Sequence, residues 1–180
     1  EKTAYDNIEK LVYAISEQGY VNVVDYADPA NPEVKSSLSI DLSSVGTLTD
    51  VNICPEKKLL FVAHSATDKV GNGGVRVYST VQGGQAATFL REIETGPMPD
   101  MISPNTDCTM LAAACEGEGV YENNELTDPE GKITLVRNFD TNTPEVIHLS
   151  LAGLGTDEEL ITKGVHLPLP EKAMEYWDDH

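Results

Sequence analysis

The sequence predicts an all-β fold, a β-propeller of which this chain carries about three four-stranded blades. One observation behind that prediction is a pair of strand-like segments that recurs three times, an apolar run ending in alanine followed by an alternating run opened by glycine. The copies are Leu11 to Ala14 with Gly19 to Val24, Leu60 to Ala63 with Gly74 to Tyr78, and Leu111 to Ala114 with Gly131 to Val136. A second observation is their spacing: Ala14, Ala63 and Ala114 lie 49 and 51 residues apart, and Gly19, Gly74 and Gly131 lie 55 and 57 apart. That period belongs to propeller blades. Other landmarks keep step. Thr49-Asp50-Val51 returns as Pro99-Asp100-Met101, and Pro32-Glu33-Val34 returns as Pro144-Glu145-Val146 two periods of 56 later.

Each unit reads as four strands. A short inner strand lies near Asp50-Val51-Asn52-Ile53 or Asp100-Met101-Ile102, followed by a turn at Pro55 to Lys58 or Pro104 to Asp107, where Pro and Asn supply the geometry. The apolar run ending in alanine is nearly continuous, as a strand buried on both faces between stacked sheets should be. The third strand alternates, as in Val75-Arg76-Val77-Tyr78, and so is half-buried. The fourth, at Val34 to Ile40, Ala87 to Ile93 and Glu145 to Leu151, is more polar and suits an outer, wetted edge. The expected blades are 1–45, 46–95 and 96–153. Residues 154–180 form an incomplete segment, with a short helix capped by Thr156 or Asp157 and an extended, proline-held stretch from Gly164 to Pro170.

Closed propellers need about four to eight blades, so three predict that further blades come from the same protein or from a partner chain. The loop between second and third strands lengthens along the chain, which places variation on one face.

Twelve Lys and Arg against thirty Asp and Glu leave a net charge of −18. That balance repels nucleic-acid phosphates and anionic membranes and favours cations, basic proteins and mineral surfaces; plain solubility of a secreted protein accounts for it equally well. No apolar run approaches the roughly 18 residues of a membrane helix, so no membrane insertion is expected. The start has neither a basic stretch nor an apolar signal core, and the chain reads as a processed piece.

Several of these segments resemble the mesenchyme-specific cell-surface glycoprotein family of marine invertebrates and the bacterial choice-of-anchor I domains. The matches are Leu11 to Asp25, Gly96-Pro97-Met98-Pro99-Asp100-Met101-Ile102, and Ala114-Cys115-Glu116-Gly117-Glu118 followed by Asp128-Pro129-Glu130-Gly131. The resemblance implies a secreted glycoprotein propeller of about seven blades, tied to skeletal or cell-surface matrix and without a supplied enzyme activity. Some bacterial relatives carry an alkaline phosphatase label, but this chain frames no Ser or Thr nucleophile with metal ligands. Cys115 stands where the related motif commonly has another residue.

From Glu92 to Gly131 there are ten carboxylates and no Lys or Arg. Calcium takes six to eight oxygens, and Glu116, Glu118, Glu122, Asp128 and Glu130, with Asn123 and Asn124, sit on one loop able to fold around it. Glu116 and Glu118 point the same way if the strand continues through Gly117. Asp50 and Asp100, at matching entrances to inner strands, are candidate channel-lining acids or turn caps. His64, His148, His166 and His180 have no zinc spacing, and Ser65 lacks the glycine framing of a nucleophile elbow. Cys54 and Cys108, near equivalent turns of consecutive units, are the favoured disulfide, with Cys108 to Cys115 the competitor. Together these features predict a non-enzymatic extracellular matrix or adhesion propeller whose acidic face binds calcium, mineral or matrix proteins. The alternative is a metal-dependent hydrolase of phosphoesterase or lactonase type using channel carboxylates.

Overall fold

The computed structural model describes residues 2–139, 141, 143–151 and 153–165. From His166 onward the expected extended stretch and the chain's acidic, aromatic end lie outside the described residues, as does the second half of the histidine set, His166 and His180. The chain divides into a unit of residues 1–150 and a unit of residues 151–180.

The first unit is built of antiparallel sheets formed one after another along the chain. In the first, β1 (Thr3–Asp6), β2 (Leu11–Ile15) and β3 (Tyr20–Asp25) run as a meander, and two short pieces, β4 (Glu33–Val34) and β5 (Ile40–Asp41), both pair with β3. The single fourth strand expected from Val34 to Ile40 is therefore broken. A 3-10 turn occupies Ser36–Leu38 and the Lys35 amide turns back to the Val23 carbonyl at 2.8 Å. Consecutive serines, whose hydroxyls compete for backbone groups, make a poor strand centre.

The second sheet is β6 (Leu48–Cys54), β7 (Leu59–His64), β8 (Asn72–Ser79) and β9 (Phe89–Pro97) in that spatial order. Gly74 sits inside β8 opposite His64 rather than opening the strand, and β9 runs two residues beyond the expected boundary at 95. The third sheet starts with β10 (Pro99–Pro104) and β11 (Met110–Cys115). A separate hairpin, β12 (Val120–Glu122) and β13 (Glu125–Thr127), follows before β14 (Lys132–Arg137) and β15 (Glu145–Ser150) complete the order β10-β11-β14-β15.

Two apolar cores lie between the sheets. Leu11, Tyr13, Ile15, Val21 and Val23 of the first sheet meet Val51, Leu60, Val62 and Tyr78 of the second. From the other face of the second sheet, Leu59, Phe61, Ala63, Val75 and Val77 meet Ile102, Leu111, Ala113, Cys115 and Val136 of the third. Phe61 and Phe139 pack edge to face at 5.0 Å there. Hence all six residues of β7 are buried, while β2 and β11 alternate, because only the middle sheet has a neighbour on each side among the described residues. The outward faces of the two flanking sheets leave Tyr5 and Val34, and Met101, Ile133 and Leu149, exposed.

The ladder shifts the alignment of the repeats by one residue. Ala63 pairs with Asp50 and Val75, and Ala114 pairs with Met101 and Ile133, so these alanines are equivalent. In the first sheet the matching residue is Ile15, which pairs with Val21 inside the core, and not Ala14. Asp50 and Asp100 are likewise not counterparts: a bulge falls between Leu48 and Asp50 and again between Pro99 and Met101, so Asp100 takes the place of Thr49. A one-residue slip sends a strand's side chains to the opposite face.

Tyr13 joins the first core to the second sheet. It is fully buried, and its hydroxyl accepts the Val81 amide at 2.9 Å. Burial pushes its phenol up to about 12. The unfolded chain, with an ordinary phenol near 10, loses its proton first, so stability from Tyr13 is full below about pH 10 and is lost as pH rises through about 12. The expected outcome is a loss of about 2 to 3 kcal/mol across that window, measured as urea midpoints, that is absent from Tyr13→Phe. An equal alkaline loss in both proteins would place the effect elsewhere.

In the second unit, α1 (Asp157–Thr162) begins with a capping box: the Thr156 hydroxyl accepts the Glu159 amide at 3.3 Å and the Glu159 carboxylate accepts the Thr156 amide at 2.9 Å.

Candidate functional site

The inner strands β6 and β10 are edge strands of their own sheets, with main-chain groups that no ladder uses. Side chains of β6 supply the missing partners. The Thr49 hydroxyl donates to the Pro99 carbonyl at 2.5 Å, the Asp50 carboxylate accepts the Ile102 amide at 2.8 Å, and the Asn52 amide donates to the Ile102 carbonyl at 3.1 Å. The other Asp50 oxygen accepts the Val51 amide at 2.9 Å. Asp50 is buried, so it neither lines an open channel nor caps a turn; it stitches two sheets. Asp100 is exposed, and Lys2 reaches both its main-chain carbonyl and, at 3.6 Å, its carboxylate.

The acidic segment splits into a bend at Gly117 and the β12–β13 hairpin. Gly117, at φ 63°, ends the strand at Cys115, so Glu116 and Glu118 do not extend it as a same-face pair. Instead the Glu116 and Gly117 amides donate to the Met98 and Pro97 carbonyls at 3.1 and 3.3 Å. Asn123 and Asn124, both left-handed at φ 54° and 64°, turn the hairpin that sets Glu122 opposite Glu125. Glu130 accepts the Ser150 hydroxyl. Among the described residues no three His, Cys, Asp or Glu side chains come together as a metal group.

A cluster that sequence reasoning missed lies at the end of β7. His64 is buried, its Nδ1 donates to the Ser65 carbonyl at 3.0 Å, and its Nε2 is 3.1 Å from Glu92, whose other oxygen pairs with Arg76 at 3.0 Å. The signal becomes readable only in the ladder, where Arg76 faces Glu92 directly. Cys54 and Cys108 form a disulfide, with Cα atoms 6.1 Å apart, and Cys115 is a buried free thiol. His148 contacts the Thr134 hydroxyl at 3.0 Å.

The connections from second to third strand span residues 16–19, 65–71 and 116–131, and they share one edge of the sheets with the links 42–47 and Met98 that lead into β6 and β10. Hollows open along this edge. One of about 360 Å³ lies between Lys2, Ser16, Glu17, Thr47, Met98 and Asp100. A second, of about 300 Å³, shares Glu17 and Thr47 and continues past Ser43, Ser44 and Gly46 to Thr67. A third, of about 400 Å³, separates Asp68 and Lys69 from Glu118, Tyr121 and Glu122 of the hairpin segment. Met98 holds a left-handed backbone at φ 49° between two prolines, a conformation uncommon outside glycine and costly to maintain.

No curated protein matches the sequence significantly. Among solved structures, the fold is similar to that of a provisionally assigned 6-phosphogluconolactonase from Bacteroides uniformis, with 18% identity and a TM-score of 0.61 over 83% of this chain and 40% of that one. A second provisionally assigned 6-phosphogluconolactonase, from Bacteroides fragilis, gives 18% identity and a TM-score of 0.59 over 81% of this chain and 38% of that one. At such identity the likeness is one of fold, and the chain spans about two fifths of the length of either structure. The family model of the choice-of-anchor I domain matches residues 1–176, and the chain belongs to that family.

Proposed function

We propose that the chain forms three consecutive blades of a β-propeller of about seven, in an extracellular or cell-surface protein, and that its loop-bearing edge recognises a ligand without turning it over. The observation that carries the reading is the state of the inner-strand carboxylates. Both oxygens of Asp50 are taken by main-chain amides, which supports a structural rather than a catalytic role for it, and Asp100 is an exposed carboxylate 3.6 Å from Lys2. Continuation of the ring is supported by the exposed apolar side chains on both flanking sheets, which further blades from the same protein or a partner would cover. A disulfide and membership of an anchor-domain family support an extracellular setting. In the same reading, resemblance to the mesenchyme-specific glycoproteins and a charge of −18 suit calcium, mineral surfaces or basic matrix proteins as partners in adhesion or biomineral assembly.

A metal-dependent lactonase or phosphoesterase is the competing reading, favoured by the fold shared with the two Bacteroides proteins. Incubating the protein with glucono-1,5-lactone or p-nitrophenyl phosphate, with calcium and with chelator, separates the two. The expected rates equal the protein-free background. Hydrolysis that chelator abolishes and Asp100→Asn reduces would establish the enzyme instead.

A further inference from the structure

The two hollows that share Glu17 and Thr47 adjoin along the loop edge as a groove, and their combined lining defines what chemistry fits it. Five hydroxyl-bearing residues, Ser16, Ser43, Ser44, Thr47 and Thr67, line it; Ser16 Oγ already accepts the Tyr20 amide at 3.2 Å and keeps its proton to donate. Ser43 is turned into an acceptor for a ligand, because its own proton goes to Asp41 at 2.7 Å. Asp41 is held below the usual carboxylate range by the Ser43 amide and hydroxyl, so it stays an acceptor. Gly46, at φ 138°, leaves no room for a side chain, since a Cβ there would collide with the Ser65 carbonyl. Its main chain therefore stays bare along the groove. Ile15, Leu48 and Met98, the last fixed in its left-handed turn, supply apolar parts of the wall.

Charge decides among polyhydroxylated ligands. Lys2 is the only cation among the described residues of the groove, and Asp100 already engages it. Glu17 is exposed at the junction, and no Lys or Arg among the described residues of the lining pairs with it. A phosphoryl group needs cationic or amide donors, and here it would meet two carboxylates and a spoken-for ammonium within a chain of net charge −18.

We propose that this groove binds an unphosphorylated sugar, neutral or amino, and excludes sugar phosphates such as those named for the proteins of similar fold. The inference rests on the recognition reading of the loop edge and narrows it to a ligand class. Binding to the folded full chain would be measured calorimetrically with N,N′-diacetylchitobiose, glucosamine and 6-phosphogluconate as probes. Dissociation constants of about 1 mM are expected for the first two, with 6-phosphogluconate at least about tenfold weaker. Glu17→Gln is expected to weaken glucosamine about threefold to tenfold and to shift N,N′-diacetylchitobiose by less than about twofold. Equal or tighter binding of 6-phosphogluconate overturns the proposal, as does failure of both uncharged and amino sugars to bind the folded protein. Failure here with no lactone turnover leaves the recognition reading intact with a different ligand. Sugar binding accompanied by lactone turnover keeps this site and removes the non-catalytic reading.

Discussion

Removing the Cys54–Cys108 bridge, as the double variant Cys54→Ala/Cys108→Ala, is expected to lower the free energy of unfolding by about 4 kcal/mol. The two residues are 54 apart in sequence, and a cross-link closing a loop of that size restricts the unfolded chain by about that amount. Topology adds to the expectation. Cys54 ends the inner strand β6 and is fully buried, while Cys108 lies in the turn between β10 and β11, so the bridge joins successive sheets at the edge opposite the groove. The turn itself is held independently, since the Asn105 carboxamide oxygen accepts the Thr109 and Met110 amides at 2.9 and 2.8 Å. The variant should therefore keep its strand content and shift its urea midpoint. Replacing both cysteines also prevents Cys115 from pairing with a leftover thiol. A change within about 1 kcal/mol would mean that the sheets hold their relation without the cross-link.

Much of this architecture was legible because its determinants are local. The apolar run Leu60 to Ala63 has no polar face and reads as a strand covered on both sides, which is where the structure puts it. Thr156 with Glu159 three residues on marks a helix start without reference to anything distant. What failed depended on register. The Asp50 and Asp100 motifs look alike in sequence, yet a bulge in each strand displaces one aspartate into the seam and the other onto the surface. Likewise His64, Arg76 and Glu92 form a cluster only after β8 and β9 are paired. In the acidic segment, Asn123-Asn124, two adjacent residues with left-handed preference between short β-prone stretches, turn a hairpin, and that signal is local in the sequence. No local motif marks the groove around Glu17, because its walls draw serines, threonines and glycines from links far apart in sequence.

Asp50→Ala is expected to destabilise the protein by about 4 kcal/mol, since it strips acceptors from two buried amides that have no water to turn to, at about 1 to 3 kcal/mol each. One of them, Ile102, lies in the next sheet, so the loss falls on the seam rather than within β6. Asp50→Asn should be intermediate. Its carbonyl can still serve one amide, but its NH₂ must face the other, placing donor against donor where the carboxylate accepted twice. Thr49 and Asn52 would continue to bond Pro99 and Ile102, so the seam weakens without parting. Hydrogen exchange distinguishes this from general loss of stability: the Ile102 amide should lose protection in Asp50→Ala more than amides in the β2–β3 ladder do. If Asp50→Asn matches the parent in urea midpoint and Ile102 stays protected, the carboxylate is not the group that joins the inner strands, and the assignment of Asp50 to the seam rather than to an open channel fails.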